Sequence, residues 1–263
     1  MLPLPGEPHP RLPLRDTARR DGPRSALTAF HQAAGPRTLV CGPAGHVLAP
    51  RELVADATRV VLSGRAAVRV PARERHLAHA LPARLDLAAL RCPAPVRPER
   101  PIRPIRLERP DRPDGLERPD GPHRSDGLER SDGLEGSGRW AGDAVLWLRL
   151  GLAQHLMAEV LDHLGERSFG DTPLVRLPAT KSALAEVAVT LLETESNLRG
   201  APVDGPDDAT LLLLHQQVTT VDDTLLRLLG ANGLTSSGPG VTAHVSRLLA
   251  DLYAPCLILR EAA

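Results

Sequence analysis

The feature that most constrains this chain is the stretch from Asp143 to Arg167, "DAVLWLRLGLAQHLMAEVLDHLGER". Leu146, Leu150, Ala153, Met157, Leu161 and Leu164 recur at steps of three and four, the spacing of one helix face. Val145, Leu148, Leu152, Leu156 and Val160 form a second stripe. A helix apolar around so much of its girth has to be covered by other elements, and the following sequence supplies them. Pro178 suits a first helical turn and Gly200 a helix end, with Leu184, Val187, Leu191 and Leu198 on one face between them. Asp207 or Asp208 is a candidate N-cap for a third helix, on which Leu211, Leu214, Val218, Val221, Leu225 and Leu228 keep a 3-4-3-4-3 spacing. A last helix carries Val241, Val245, Leu248 and Leu252 inward. Short connections between four such helices predict a mainly α protein with a C-terminal antiparallel four-helix bundle over residues 140–263.

Before the bundle the texture is different. Residues 112–135 repeat one hexapeptide four times, with Asp-Gly in every copy and at most one large apolar side chain per copy. Asp-Gly favours turns. So little burial does not offset roughly 1–2 kcal/mol of ordering entropy per residue. Residues 95–139 are therefore expected to be a disordered, low-complexity linker, or a recognition segment that folds on a partner. Residues 1–36, rich in Pro, Arg and Gly, are expected to be a disordered tail. Between them, residues 37–94 are expected to form a small β/α region. "RVVLSGRAAVRV" has the pattern of a hairpin. "RERHLAHALPARLDLAALR" is expected to form a short helix, with His76 and His79 at its surface rather than on a metal.

Composition narrows the function classes. Thirty-two basic and thirty-two acidic residues cancel, so nothing favours nucleic acid or an anionic membrane. Cys41, Cys92 and Cys256 are odd in number and far apart, which suggests neither a disulfide framework nor a zinc site. No secretory leader is recognisable at the start, and a cytoplasmic protein is expected. Aromatic residues make up 2% of the chain, so its core is aliphatic, and Phe169 is expected to be one of its few aromatic plugs. Nucleophile elbow, P-loop and metal cluster are absent from the sequence.

Three stretches carry a resemblance. "LGLAQHLMAEVLDHLGERSFGDTPLVRLPATKSALAEV", with Arg167, Phe169, Gly170, Pro173 and Leu174, resembles the C-terminal domain of the acyl-CoA dehydrogenases, where a helix ends in an Arg-x-Phe-Gly turn. "LLRLLGANGL" resembles that family's Gln-x-x-Gly-Gly-x-Gly turn, and "SRLLADLY" its last helix. The hairpin region resembles the end of the family's β-domain. The resemblance implies FAD held between subunits and oxidation of an acyl thioester, as acyl-CoA or on an acyl-carrier protein. It also implies a homo- or hetero-oligomer with acyl-CoA dehydrogenase-type subunits. By the same resemblance Arg167, Phe169, Arg227, Gly230 and Gly233 would contact the cofactor. Arg167 also suits the carbonyl end of its own helix, and the two glycines suit ordinary helix ends. Departures are specific. Arg227 stands at the turn glutamine, Ala231 at the second glycine and Ala250 at the last-helix arginine. The two family positions for the proton-abstracting glutamate fall near Ala141 and Leu259, and Glu261 is the closest carboxylate. The family's entire N-terminal helical domain and most of its β-domain are expected to have no counterpart, so the resemblance implies either an enzyme completed by a partner subunit or a non-catalytic bundle that assembles with one.

Overall fold

A computed structural model describes residues 10–62, 65–77, 85–93, 137–202, 205–235 and 238–254. The four hexapeptides and Glu261 lie outside the described residues, while 137–139, expected as the end of the linker, are the first turn of a helix. Among the described residues the α-helices are α1 (Leu12–Ala33), α2 (Arg51–Asp56), α3 (Ser137–Glu166), α4 (Pro178–Gly200), α5 (Asp208–Leu229) and α6 (Gly240–Tyr253).

Helix α3 is the centre of the molecule. Leu146, Trp147, Leu150, Ala153, Leu156, Val160 and Leu164 join one core with α4 and α5. Ala141, Ala144, Val145, Leu148 and Leu152 join a second core with α1 and α6. The two stripes read from the sequence are separated only in part: Leu156 and Val160 of the second stripe join the first core, and Leu161 of the first stripe is exposed. By length and composition Ala141–Glu166 is apolar enough to cross a membrane, but most of its apolar window is buried inside the fold. The expected starts and stops of α4 and α5 are observed. Pro178 opens α4. The Asp207 side chain caps α5 by accepting from the Thr210 amide at 2.8 Å, and Gly230 closes it at φ +57°.

Helix α1 occupies much of the stretch expected to be a tail, and it is core. It buries Leu14, Ala18, Ala26, Leu27 and Phe30. Composition misleads here because each proline sits where a helix tolerates one. Pro13 lies in the first turn. Pro23 follows a break at Gly22, whose φ of +73° only glycine adopts readily, so the helix stops and restarts around it. Arg15, and Arg11 just before the helix, are largely covered and held in ion pairs, Arg15 reaching Glu195 on α4 and Arg11 reaching Asp143 on α3. Gly151 is what lets α1 approach so closely. A Cβ there would lie 2.7 Å from Cβ of Ala18 and would overlap the Arg15 carbonyl.

Two three-stranded sheets cover the other side of α1. In one, β1 (Thr38–Val40) pairs in parallel with β3 (Arg59–Leu62), which pairs antiparallel with β4 (Arg65–Val68), completing the expected hairpin. In the other, β6 (Leu87–Arg91) lies between β2 (His46–Pro50) and β5 (Arg75–His76), antiparallel to both. Strands β5 and β6 form the two ends of the stretch expected as a short helix, whose middle, residues 78–84 with His79, lies outside the described residues. Ala and Leu favour helix, yet Leu90 opposite Val47 is fully buried among Leu39, Ala49 and Val60, and that packing overrides propensity. His76 is exposed, as expected.

The two sheets meet at β1 and β2, which side chains stitch together. His31 accepts from the Val40 amide at Nδ1 (3.0 Å) and donates from Nε2 to the Leu48 carbonyl (2.9 Å). Tyr253 Oη donates to the Val40 carbonyl at 3.1 Å and accepts from the Leu48 amide at 3.4 Å. Both imidazole nitrogens are committed, so the ring is neutral, and burial pushes its pKa down to about 4. The unfolded chain therefore takes up a proton near pH 6.5 that the folded chain refuses. The His31 contribution is complete above that pH and is lost as pH falls toward 4, a swing of about 3 kcal/mol. Urea midpoints followed from pH 7 to 4.5 should fall more steeply in the wild type than in His31→Asn; parallel curves would remove this assignment.

Candidate functional site

The last turn of α3 brings His163 beside the turn that follows α5. Arg167 comes just after α3, and its carbonyl accepts from the Leu174 amide at 2.8 Å, closing a small hairpin of β7 (Ser168–Phe169) and β8 (Thr172–Pro173) around Gly170. Arg167 Nη1 lies 3.4 Å from His163 Nε2, and Asn232 Nδ2 lies 3.4 Å from His163 Nδ1. A neutral imidazole accepts at one nitrogen only. Both contacts can be hydrogen bonds only if Nε2 accepts from Arg167 while Nδ1 donates to an Asn232 amide turned end for end. Through His163 the Arg167 turn and the 230–234 turn form one continuous edge.

The sequence-derived residues divide along this edge. Arg167 is exposed, and Phe169 is 76% exposed rather than a core plug. The reason is local: a two-residue strand in a hairpin standing off the helix ends has nothing above it to pack against. Gly230 is exposed with open space around it. Gly233 is buried and tightly packed: a Cβ would lie 3.1 Å from the Leu226 carbonyl oxygen, and the start of α6 packs on it through Gly240. Arg227 is exposed and donates to Thr224 Oγ1 at 3.0 Å on its own helix, apart from the His163 connection. Ala141, at one family position for the base, is a buried methyl among Val145, Leu249 and Tyr253.

The largest polar cluster lies where the sequence reading did not look. Arg149, on α3, is fully buried and uses all five of its N–H donors. Nε donates to Ser246 Oγ at 3.0 Å. Nη1 donates to His215 Nδ1 (2.9 Å) and to the His215 carbonyl (3.0 Å). Nη2 donates to Thr219 Oγ1 (2.9 Å) and Asp222 Oδ2 (3.4 Å). Ser246 Oγ donates to Asp222 Oδ2 at 2.7 Å. Burial pushes Asp222 up to about 7 against the pull of Arg149 and Ser246, and it also lowers Arg149. Burial, then the Arg149 charge, pushes His215 down to about 3. His215 thus repeats the acid sensitivity of His31, while Asp222 opposes it, because its folded state gains a proton on the acid side of 7. A sequence signal existed: a lone arginine flanked by Leu148 and Leu150, with His215 and Asp222 seven apart on an apolar face, has to be paired inside. The cluster links α3, α5 and α6.

No protein-family profile matches this chain, and no curated protein matches it. Among solved structures the chain is similar to a variant of the Tcur3481-Tcur3483 steroid ACAD, at 14% identity and a TM-score of 0.47. The match covers 81% of this chain and 57% of that one, so this chain spans little more than half the length of the protein it resembles.

Proposed function

We propose that this chain is an acyl-CoA dehydrogenase-like subunit that lends one edge of a flavin site and depends on a partner subunit for the rest. In this reading residues 140–263 are the family's antiparallel four-helix bundle and the two sheets are a remainder of its β-domain. The setting is cytoplasmic, the substrate is an acyl thioester on coenzyme A or a carrier protein, and nucleic acid and membrane play no part.

The observation that carries the reading is the His163 connection, which joins the two turns with family-like motifs into one solvent-facing edge. The residues present suit an anionic diphosphate. Arg167 is exposed and has N–H donors to spare beyond its single contact. Gly230 leaves open space where a side chain would stand. Bound FAD would accept the hydride leaving the β carbon of the acyl group. Arg167 would hold a phosphate oxygen, Gly230 would admit it to the backbone, and His163 and Asn232 would orient Arg167. The residues do not suit the proton abstraction, because Ala141 is a packed methyl and Asp222 is enclosed by Arg149 and Ser246. That carboxylate belongs to the partner.

Flavin absorbance of the chain co-purified with an acyl-CoA dehydrogenase-type subunit tests this. Arg167→Ala is expected to weaken FAD retention at least about tenfold, one charge-assisted contact, with the helical spectrum unchanged. The enclosure of Asp222 also favours a second reading, in which the bundle is a non-catalytic assembly partner. A stable complex whose flavin content is indifferent to Arg167→Ala would select it.

A further inference from the structure

A second candidate site lies in the sheet region and shares no residue with the bundle edge. The turn between β1 and β2, the end of β3, and the segment running from the 3-10 turn Pro71–Arg73 into β5 enclose an open cleft of about 460 Å³. Arg73, Arg75 and Arg91 line it together with Pro43, Leu62 and Pro93. Arg75 stands directly opposite Arg91 in the β5–β6 register, and Arg91 stands opposite His46 in the β6–β2 register. Directly opposed residues share a face of the sheet, so a row of basic side chains crosses it. Opposed like charges destabilise a strand pair unless a counter-charge sits between them.

No counter-charge stands between them among the described residues. Arg73, Arg75 and Arg91 have no ion pair or side-chain hydrogen bond among the described residues. The nearby carboxylate, Glu74, is turned away and committed. Arg69 donates to its two oxygens at 2.6 and 2.7 Å, and the pair is almost wholly buried. Three exposed guanidinium groups thus converge on one cleft whose acid has been consumed by a fourth.

We infer that this cleft binds a small phosphorylated molecule, its phosphates held by Arg73, Arg75 and Arg91 and its organic part lying against Pro43, Leu62 and Pro93. Guanidinium forks match phosphate oxygens in pairs, and a diphosphate spans two neighbouring forks. The volume falls in the range of small-ligand sites and is far too confined for a nucleic acid helix.

Calorimetric titration of the full chain with inorganic pyrophosphate, adenosine diphosphate and adenosine tests the inference. One saturable site for both anions is expected, weakened at least about tenfold by Arg75→Gln or by Arg91→Gln and weakened further by salt. Equal affinity for the two anions identifies the bare diphosphate as the ligand; tighter binding of the nucleotide identifies the phosphorylated organic molecule. Arg167→Ala should leave this binding unchanged, which separates the cleft from the proposed flavin edge. Absence of saturable binding at millimolar concentration, equal binding of uncharged adenosine, or loss of binding in Arg167→Ala instead of the cleft variants overturns the inference. Both glutamine variants are at exposed positions, and an unchanged circular dichroism spectrum excludes misfolding as the cause.

Discussion

Arg149→Ala is expected to cost about 3–5 kcal/mol of folding stability, the characteristic cost of removing one member of a buried ion pair. The substitution strips Asp222, Ser246, Thr219 and His215 of a shared donor at once. Asp222 Oδ1 already lies buried without a hydrogen bond, so the carboxylate keeps only the Ser246 hydroxyl. Since a domain has about 5–15 kcal/mol in total, the variant should be partly unfolded at physiological temperature. The companion result decides the interpretation. Arg149→Met combined with Asp222→Leu removes both charges and should recover most of the loss, because an apolar replacement has no desolvation to offset. Urea unfolding of the two single variants and the double variant gives the coupling directly. An Arg149→Ala variant within about 0.5 kcal/mol of wild type would mean that water reaches the cluster, and the account of a sealed centre would fail.

Phe30→Ala is expected to cost a further large amount, about 3–5 kcal/mol, the usual range for truncating a buried aromatic. Its ring is fully buried, meets Tyr253 edge-on at 5.4 Å, and lies 5.1 Å from the His31 ring. It therefore fills the point where α1, the two edge strands and α6 converge. Hydrogen exchange supplies the sharper readout: amides of α1 should lose protection in the variant while those of α4 keep theirs. If residues 12–33 were a tail, the substitution would change stability by less than about 0.5 kcal/mol.

The contrast between those two residues shows what the sequence made legible. Helices α3 to α6 were readable because their burial is periodic and their ends carry local chemistry, Pro178, Asp207 and Gly230. Helix α1 was hidden by its prolines and arginines, which are harmless only in the places this fold puts them. Strand β6 was hidden because its Leu and Ala favour helix in isolation and become a strand between β2 and β5. At the candidate edge, Arg167 and the 230–234 turn could be named from their motifs. His163, which joins them, depends on a contact 69 residues apart. Arg149 was conspicuous as a charge among leucines, but its partners come from two later helices and could not be named until the packing was known. Phe169 was misjudged because scarcity of aromatics says nothing about where one of them stands.

The placement of α1 against α3 has a consequence for how the protein is made. Roughly a hundred residues of chain separate the two helices, so at typical synthesis rates the first waits about 5–20 s on the ribosome before its main neighbour exists. Throughout that interval Leu14, Leu27 and Phe30 have no bundle to enter. Holding chaperones are expected to bind the nascent chain in that interval, so its yield should depend on translation speed more than its final stability does.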